Sequence, residues 1–236
     1  MMYRPLSEEE YRDLASRILY EDNHLLVVNK KVGEIVQGDK TSDEPLTETY
    51  KAFIAQRDVK PGQVFMGLPH RLDRPVSGIV VLAKTSKSLE RLNAMFRDGD
   101  VKKVYWALVC REPSEKERLL EGMLWRNEKQ NKSYMCRPGA VRKDAKLAKL
   151  IYRYIDKTER YFLLEVELLT GRHHQIRCQL ADMGCPIKGD LKYGAPRSNS
   201  DGGISLHARR ITFTHPVKKE PLTIEAPVPA SWKGVR

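Results

Sequence analysis

The sequence lacks any apolar run near the roughly 18–20 residues needed to span a bilayer. Its opening stretch, MMYRPLSEEEYRDL, has no apolar core of the kind a secretory signal carries, so a soluble, cytoplasmic protein is expected. Cysteines are few: Cys110, Cys136, Cys178 and Cys185. None forms a C-x-x-C pair, which argues against zinc ribbons and thioredoxin-like redox sites and leaves all four expected to be reduced. Neither G-x-x-x-x-G-K-[ST] nor G-x-G-x-x-G occurs, which disfavours nucleotide-driven chemistry, and no G-x-S-x-G elbow supports a serine hydrolase. Acidic charge is also short. Thirty-one Asp and Glu face 42 Lys and Arg, a net charge of +11. That balance points to a polyanionic partner, nucleic acid or an anionic membrane. No Lys-rich amphipathic helix with Trp or Phe opposite supports the membrane.

The 236 residues are 41% hydrophobic, enough for a sizeable core. Ser7 and Glu10 form a capping box ahead of Tyr11, Leu14 and Ile18. Residues 18–20 and 25–28 read as a hairpin around an Asp-Asn turn. Residues 46–57 and 86–98 read as helices, the second capped by Ser86 and ended by Gly99. Strands are expected at 79–82, 101–109, 147–155, 161–169, 204–213 and 222–226, and a helix from near Gly171 to Gly184. Strands with interspersed helices and no strict βαβ alternation predict an α+β fold around a mostly antiparallel or mixed sheet, flanked by helices and loops.

Charge is uneven along the chain. Residues 126–160 hold eleven Lys or Arg against four acids, including Lys143 and Lys146. The segment reads either as a solvated face or as a surface that tracks phosphates. The densest chemistry lies at His70-Arg71-Leu72-Asp73-Arg74-Pro75-Val76-Ser77-Gly78, where one carboxylate sits among two arginines and a histidine ahead of a buried strand. A self-capped surface turn would have the same composition. The second segment is Thr170-Gly171-Arg172-His173-His174-Gln175-Ile176-Arg177. Arg172 falls near a helix N-terminus, where the dipole favours anions, and Arg177, one turn in, either meets a buried carboxylate or lies on an exposed basic helix. His173, His174 and Cys178 make a poor metal set, because adjacent histidines face different ways and no matching ligand pair is near. Tyr105 and His207 each lie mid-strand, where core packing is the ordinary role.

These residues resemble the RluA family of pseudouridine synthases. His70–Gly78 resembles its catalytic loop, Asn29-Lys30-Lys31-Val32-Gly33 its N-K-P-x-G element, and Lys103-x-Tyr105-x-Ala107 its K-x-Y-x-A strand. Residues 170–177 match its T-G-R-x-H-Q-I-R element. Pro186-Ile187-x-Gly189-Asp190-x-x-Tyr193-Gly194 and Leu206-His207-Ala208 follow in order. The match runs over about residues 18–228. It implies a catalytic domain over 18–236 with an N-terminal helical extension at 1–17, and a catalytic cleft across the sheet. Lys31 stands where the family has Pro, and Val76 where Thr is common, which deletes a hydroxyl.

The resemblance implies isomerisation of uridine within ribosomal or transfer RNA, without cofactor, nucleotide or metal and with no membrane partner; a monomer is the default. Asp73 would be the catalytic carboxylate, kept charged by Arg177. Tyr105 would stack on the uracil and take the proton lost from C5. The target base would be flipped out, with Arg71 in the gap and His70 holding the displaced strand. Arg74, Arg172, Lys143 and Lys146 would bind RNA. An RNA-binding or ribosome-assembly protein of the same fold without catalysis is the alternative, and the trio of Asp73, Tyr105 and Arg177 speaks against it.

Overall fold

The computed structural model describes residues 3–38, 41–59, 62–137, 139, 142–232 and 234–235. The chain divides into two compact units, Met1–Val101 with Arg210–Pro227, and Lys102–Arg209 with Val228–Arg236.

In the first unit, helix α1 (Glu8–Ser16) starts with the expected capping box. Ser7 Oγ accepts the Glu10 N–H at 3.2 Å and the Glu10 carboxylate accepts the Ser7 N–H at 2.9 Å. Helix α1 packs on α2 (Leu46–Arg57), where Tyr11 stacks on Phe53 with ring centroids 4.8 Å apart and the Tyr50 hydroxyl donates to Leu14 O. Strands β1 (Ile18–Glu21) and β2 (Leu25–Lys30) form the expected hairpin, and β2 pairs antiparallel with β3 (Ser77–Ala83). Every residue of β3 is buried, as its apolar run requires. Helix α3 (Ser86–Asp98) ends at Gly99, whose φ of 87° is left-handed. Its cap is Thr85 rather than Ser86, because the Thr85 hydroxyl reaches the Ser88 N–H.

The second unit is an antiparallel sheet of β4 (Lys102–Val109), β5 (Glu117–Asn127), β6 (Lys132–Met135), β7 (Lys146–Lys157) and β8 (Phe162–Leu168), in the order β4-β8-β7-β5-β6. Strands β5 and β6 are not foreseen from sequence. Only Leu124 of β5 is buried, so no apolar alternation marks the strand. Cross-strand ion pairs help hold it instead, Glu117 to Arg153 at 2.9 Å and Glu121 to Lys149 at 3.0 Å. Helix α4 (Gln175–Asp182) covers one face and packs Cys178 with Leu124, Ala148 and Tyr193. It begins four residues later than expected, because His174 before it adopts a left-handed φ of 52°.

Strand β9 (Leu206–Thr214) runs from the second unit into the first, and its end pairs antiparallel with β10 (Pro221–Glu225). Helices with antiparallel sheet make this α+β, as expected. Among the described residues, no helix is long and apolar enough to cross a membrane.

The β1–β2 turn is fastened by one side chain. Asp22 Oδ1 accepts the His24 and Leu25 N–H groups at 2.8 and 2.9 Å. Its Oδ2 receives the Tyr20 hydroxyl, His215 Nε2 and Lys218 Nζ, all within 3.0 Å. Burial pushes the carboxyl pKa up, but these donors outweigh it and hold the group well below the usual carboxylate range. Asp22→Ala is expected to lower stability by about 2–4 kcal/mol in urea unfolding at pH 7. This contribution is complete above the unfolded pKa of about 4 and fades as pH falls through the folded one. A loss below about 1 kcal/mol would show that the turn holds without the carboxylate.

Candidate active site

Asp73 lies in the first unit, half-buried in the loop ahead of β3. Its backbone closes a tight turn, with Val76 N–H donating to Asp73 O at 3.0 Å. The turn is held from beneath by Lys30, the last residue of β2, which is 1% exposed. Lys30 Nζ donates to Val76 O at 2.6 Å, Lys31 O at 2.9 Å and Arg74 O at 3.1 Å. Gly33, at a left-handed φ of 88°, brings a further N–H to Arg74 O at 3.0 Å. Burial lowers the Lys30 pKa to about 8, against the favourable field of Glu34 and Asp73.

The neighbours of Asp73 differ in what they are free to do. Arg71 is exposed and makes no hydrogen bond or ion pair with any described residue. It lines an open pocket of about 440 Å³ together with His70, Gln37, Thr47, Met66 and Leu68. His70 is tied to the scaffold: its Nε2 accepts the Val81 N–H at 2.9 Å and its ring stacks on Phe96 at 4.6 Å. Arg74 bonds Asp43 at 2.7 Å and Thr41 at 2.6 Å, so part of its charge is spent on the 41–43 loop.

In the second unit, Tyr105 sits in β4 opposite Val166 and is 9% exposed. Lys103, on the same face by alternation, is mostly buried, and burial lowers its pKa. Arg177 points from the buried helix α4 at a buried carboxylate, as its position suggests. That carboxylate is Asp190, 1% exposed, which it grips with Nε at 2.7 Å and Nη2 at 2.9 Å. Arg177 Nη1 donates to His174 Nε2 at 3.0 Å, so the imidazole proton sits on Nδ1, which donates to the Tyr193 hydroxyl at 3.1 Å. The same oxygen accepts the Ser133 N–H at 2.8 Å. His174 is held far below its ordinary pKa, at about 2, first by burial and then by the Arg177 charge.

Arg172 precedes α4 instead of entering it, and its Nε donates to Leu147 O at 2.9 Å. Arg172 thus lies near the helix N-terminus, two residues ahead of the left-handed cap residue His174, and outside the helix itself. The same φ turns the His174 ring back onto His173, with centroids 3.8 Å apart, although adjacent helical histidines would diverge. Lys143 and Lys146 are exposed and unpaired with any described residue. Among the described residues, no group of three or more His, Cys, Asp or Glu could hold a metal. The fastening role of Lys30 and the relay through Asp190, His174, Tyr193 and Ser133 are not apparent in the sequence. Their motifs are visible there, but contacts between distant segments are not.

The family model for RNA pseudouridylate synthase matches residues 24–182. The chain is 35% identical over 222 residues to ribosomal large subunit pseudouridine synthase C of Vibrio vulnificus, covering 92% of this chain and 67% of that one. It is 32% identical over 228 residues to the protein of the same name from Escherichia coli, covering 93% and 69%. Among solved structures it resembles human RNA pseudouridylate synthase domain containing 4, with a TM-score of 0.78 and 25% identity over 94% of this chain and 92% of that one.

The neutral imidazole of His174 has a pH signature. Below about pH 6.5 the unfolded chain binds a proton there that the folded chain refuses, down to about pH 2. Stability therefore falls as pH drops through this window, with a slope from this group of about 1.4 kcal/mol per pH unit. His174→Asn tolerates the left-handed backbone and is expected to flatten the slope between pH 4 and 6 by that amount. An unchanged slope in chemical unfolding would mean that His174 accepts its proton inside the fold.

Proposed function

The chain belongs to the RNA pseudouridylate synthase family, and on that premise we propose that Asp73 is the carboxylate that opens the glycosidic bond of its uridine, with Tyr105 and Arg177 as its partners. The reaction is isomerisation of uridine to pseudouridine within RNA. The N1–C1′ bond breaks, the uracil turns, C5 bonds C1′, and the proton lost from C5 is balanced by one gained at N1. Atoms balance with no external reagent, which supports a reading without nucleotide or other cofactor.

One observation carries the assignment of Asp73: it lies on a turn whose carbonyls are gripped by the buried Lys30 amine. Loops fixed by a rigid strand hold reacting groups within the narrow tolerances that chemistry needs. Arg177 is the proposed cation and Tyr105 the proposed stacking ring and proton acceptor, on the motif match at both positions. Arg71 is the proposed base-flipping residue, supported by its free guanidinium at the rim of the pocket. His70 and Arg74 are reassigned to holding the loop, because their contacts run to β3 and to residues 41–43. Arg172, Lys143 and Lys146 remain proposed phosphate contacts.

The substrate we propose is RNA of the large ribosomal subunit, from the names of the relatives. A monomer acting in the cytoplasm, with residues 18–236 as its catalytic domain, completes the reading. Those relatives give no support to a binder without catalysis.

Asp73→Ala is expected to abolish pseudouridine formation on large-subunit RNA, read by site-resolved mapping of RNA incubated with each protein. Product equal to wild type would overturn the assignment. Arg71→Ala is expected to slow turnover on folded RNA by about tenfold or more, and on a short unstructured strand much less, since flipping out a stacked base costs a few kcal/mol. Equal losses on both substrates would remove base flipping as its role.

A further inference from the structure

The β5–β6 hairpin carries a column of planar groups that the reaction does not use. Trp125 and Tyr134 are cross-strand partners, and their rings stack with centroids 5.2 Å apart at 25°. Both are half-buried. They lie on the face away from Leu124, which packs against helix α4. The Arg142 guanidinium lies 3.8 Å over the Trp125 ring, and Lys132 Nζ lies 5.2 Å from the Tyr134 centroid.

Arg142 is held in place rather than free to wander. Asp144 takes its in-plane edge with bonds of 3.0 and 3.1 Å, and Trp125 takes one of its faces. Its side chain remains 44% exposed. Around the column, residues 126–149 hold eight Lys or Arg and two acids. Four of those cations, Lys129, Arg137, Lys143 and Lys146, make no hydrogen bond or ion pair with any described residue. The acids of this face lie further along the sheet and are paired: Glu117 with Arg153, Glu121 with Lys149, Glu167 with Lys102. Positive charge is thus left unmatched in the segment that carries the aromatic column.

A cross-strand aromatic pair alone would merely brace an edge hairpin. A flat cationic face, oriented in advance and followed in the chain by the unpaired Lys143, has a further use. Single-stranded nucleic acid is bound in this way, with bases stacking on aromatic or guanidinium planes and phosphates meeting nearby cations. We propose that Trp125, Tyr134 and Arg142 form a stacking platform for an unpaired nucleotide of the RNA substrate, with a flanking phosphate held by Lys143. This rests on RNA being the substrate but not on the roles given to Asp73, Tyr105 or Arg177. A protein partner on this face is the rival occupant.

The test uses the full chain, a 12-nucleotide oligouridylate and a blunt RNA duplex of the same length. Binding of the single strand should quench tryptophan fluorescence in the wild type, and Trp125→Phe should lose most of that quenching while keeping the fold. Trp125→Ala should weaken single-strand binding about tenfold, with duplex binding changed less than twofold and the salt slope intact. Should Trp125→Ala melt early, Arg142→Ala, at an exposed position, should weaken the same binding by roughly three- to tenfold. Lys143→Ala should instead reduce the salt slope by about 0.7. Asp73→Ala should bind and quench as wild type, so loss of pseudouridine with intact quenching separates the catalytic assignment from the platform. Quenching that persists in Trp125→Phe, or folded Trp125 and Arg142 variants that bind the single strand like wild type, would overturn the platform and leave the face to a protein.

Discussion

A buried lysine amine holding three main-chain carbonyls is the contact on which the catalytic reading depends. Lys30 brings a positive charge into a site that is 1% exposed, a placement that is costly unless the charge is fully solvated by the protein. Val76, Lys31 and Arg74 carbonyls replace its water, and the field of Asp73 and Glu34 favours the charged form. The turn thereby gains a shape fixed through its main chain. Two departures from the family pattern fall on this fastening. Lys31, where the family has Pro, bonds Asp13 through Nζ at 2.5 Å and so has an anchor of its own. Val76 contributes its carbonyl to Lys30, a role the backbone fills whatever the side chain.

The second unit solves a related problem by a different route. Helix α4 is short, and its residues 175–180 are all buried, polar ones included. Each polar side chain therefore has to find partners. Gln175 donates to Lys149 O and accepts from Thr170 and Arg172, and Gln179 donates to Leu120 O. Arg177 is paired with Asp190. The helix is sewn to the β5 and β7 backbones by side-chain amides, where a longer helix would rely on an apolar stripe.

Local signals were legible where one short segment decides the outcome. The Ser7–Glu10 box, the apolar run of β3 and the left-handed Gly99 follow from neighbours within a few residues. The fold class and the family were legible too, through six motifs in order. What escaped was decided over distance. Strand β5 carries charge where alternation would carry apolar residues, and its register against β7 comes from partners about twenty to forty residues away. His174 sits in a left-handed conformation that is uncommon outside glycine, which starts α4 at Gln175 and leaves Arg172 just ahead of the helix. The exposed charges of the 126–149 segment were counted correctly as a patch, but the aromatic column inside it needed strand pairing to be seen.

The order in which the units are threaded has a bearing on synthesis. The first unit draws on residues 1–101 and then again on 210–227, with the whole second sheet made in between. Asp22 meets His215 across a sequence gap of 193 residues. As the chain leaves the ribosome, the hairpin carrying Asp22 emerges early and waits without its partner until nearly everything else has been translated. Closing so long a loop late slows folding. The second sheet, by contrast, has all five of its strands available once residue 168 has emerged, and is able to form while the first unit is still incomplete.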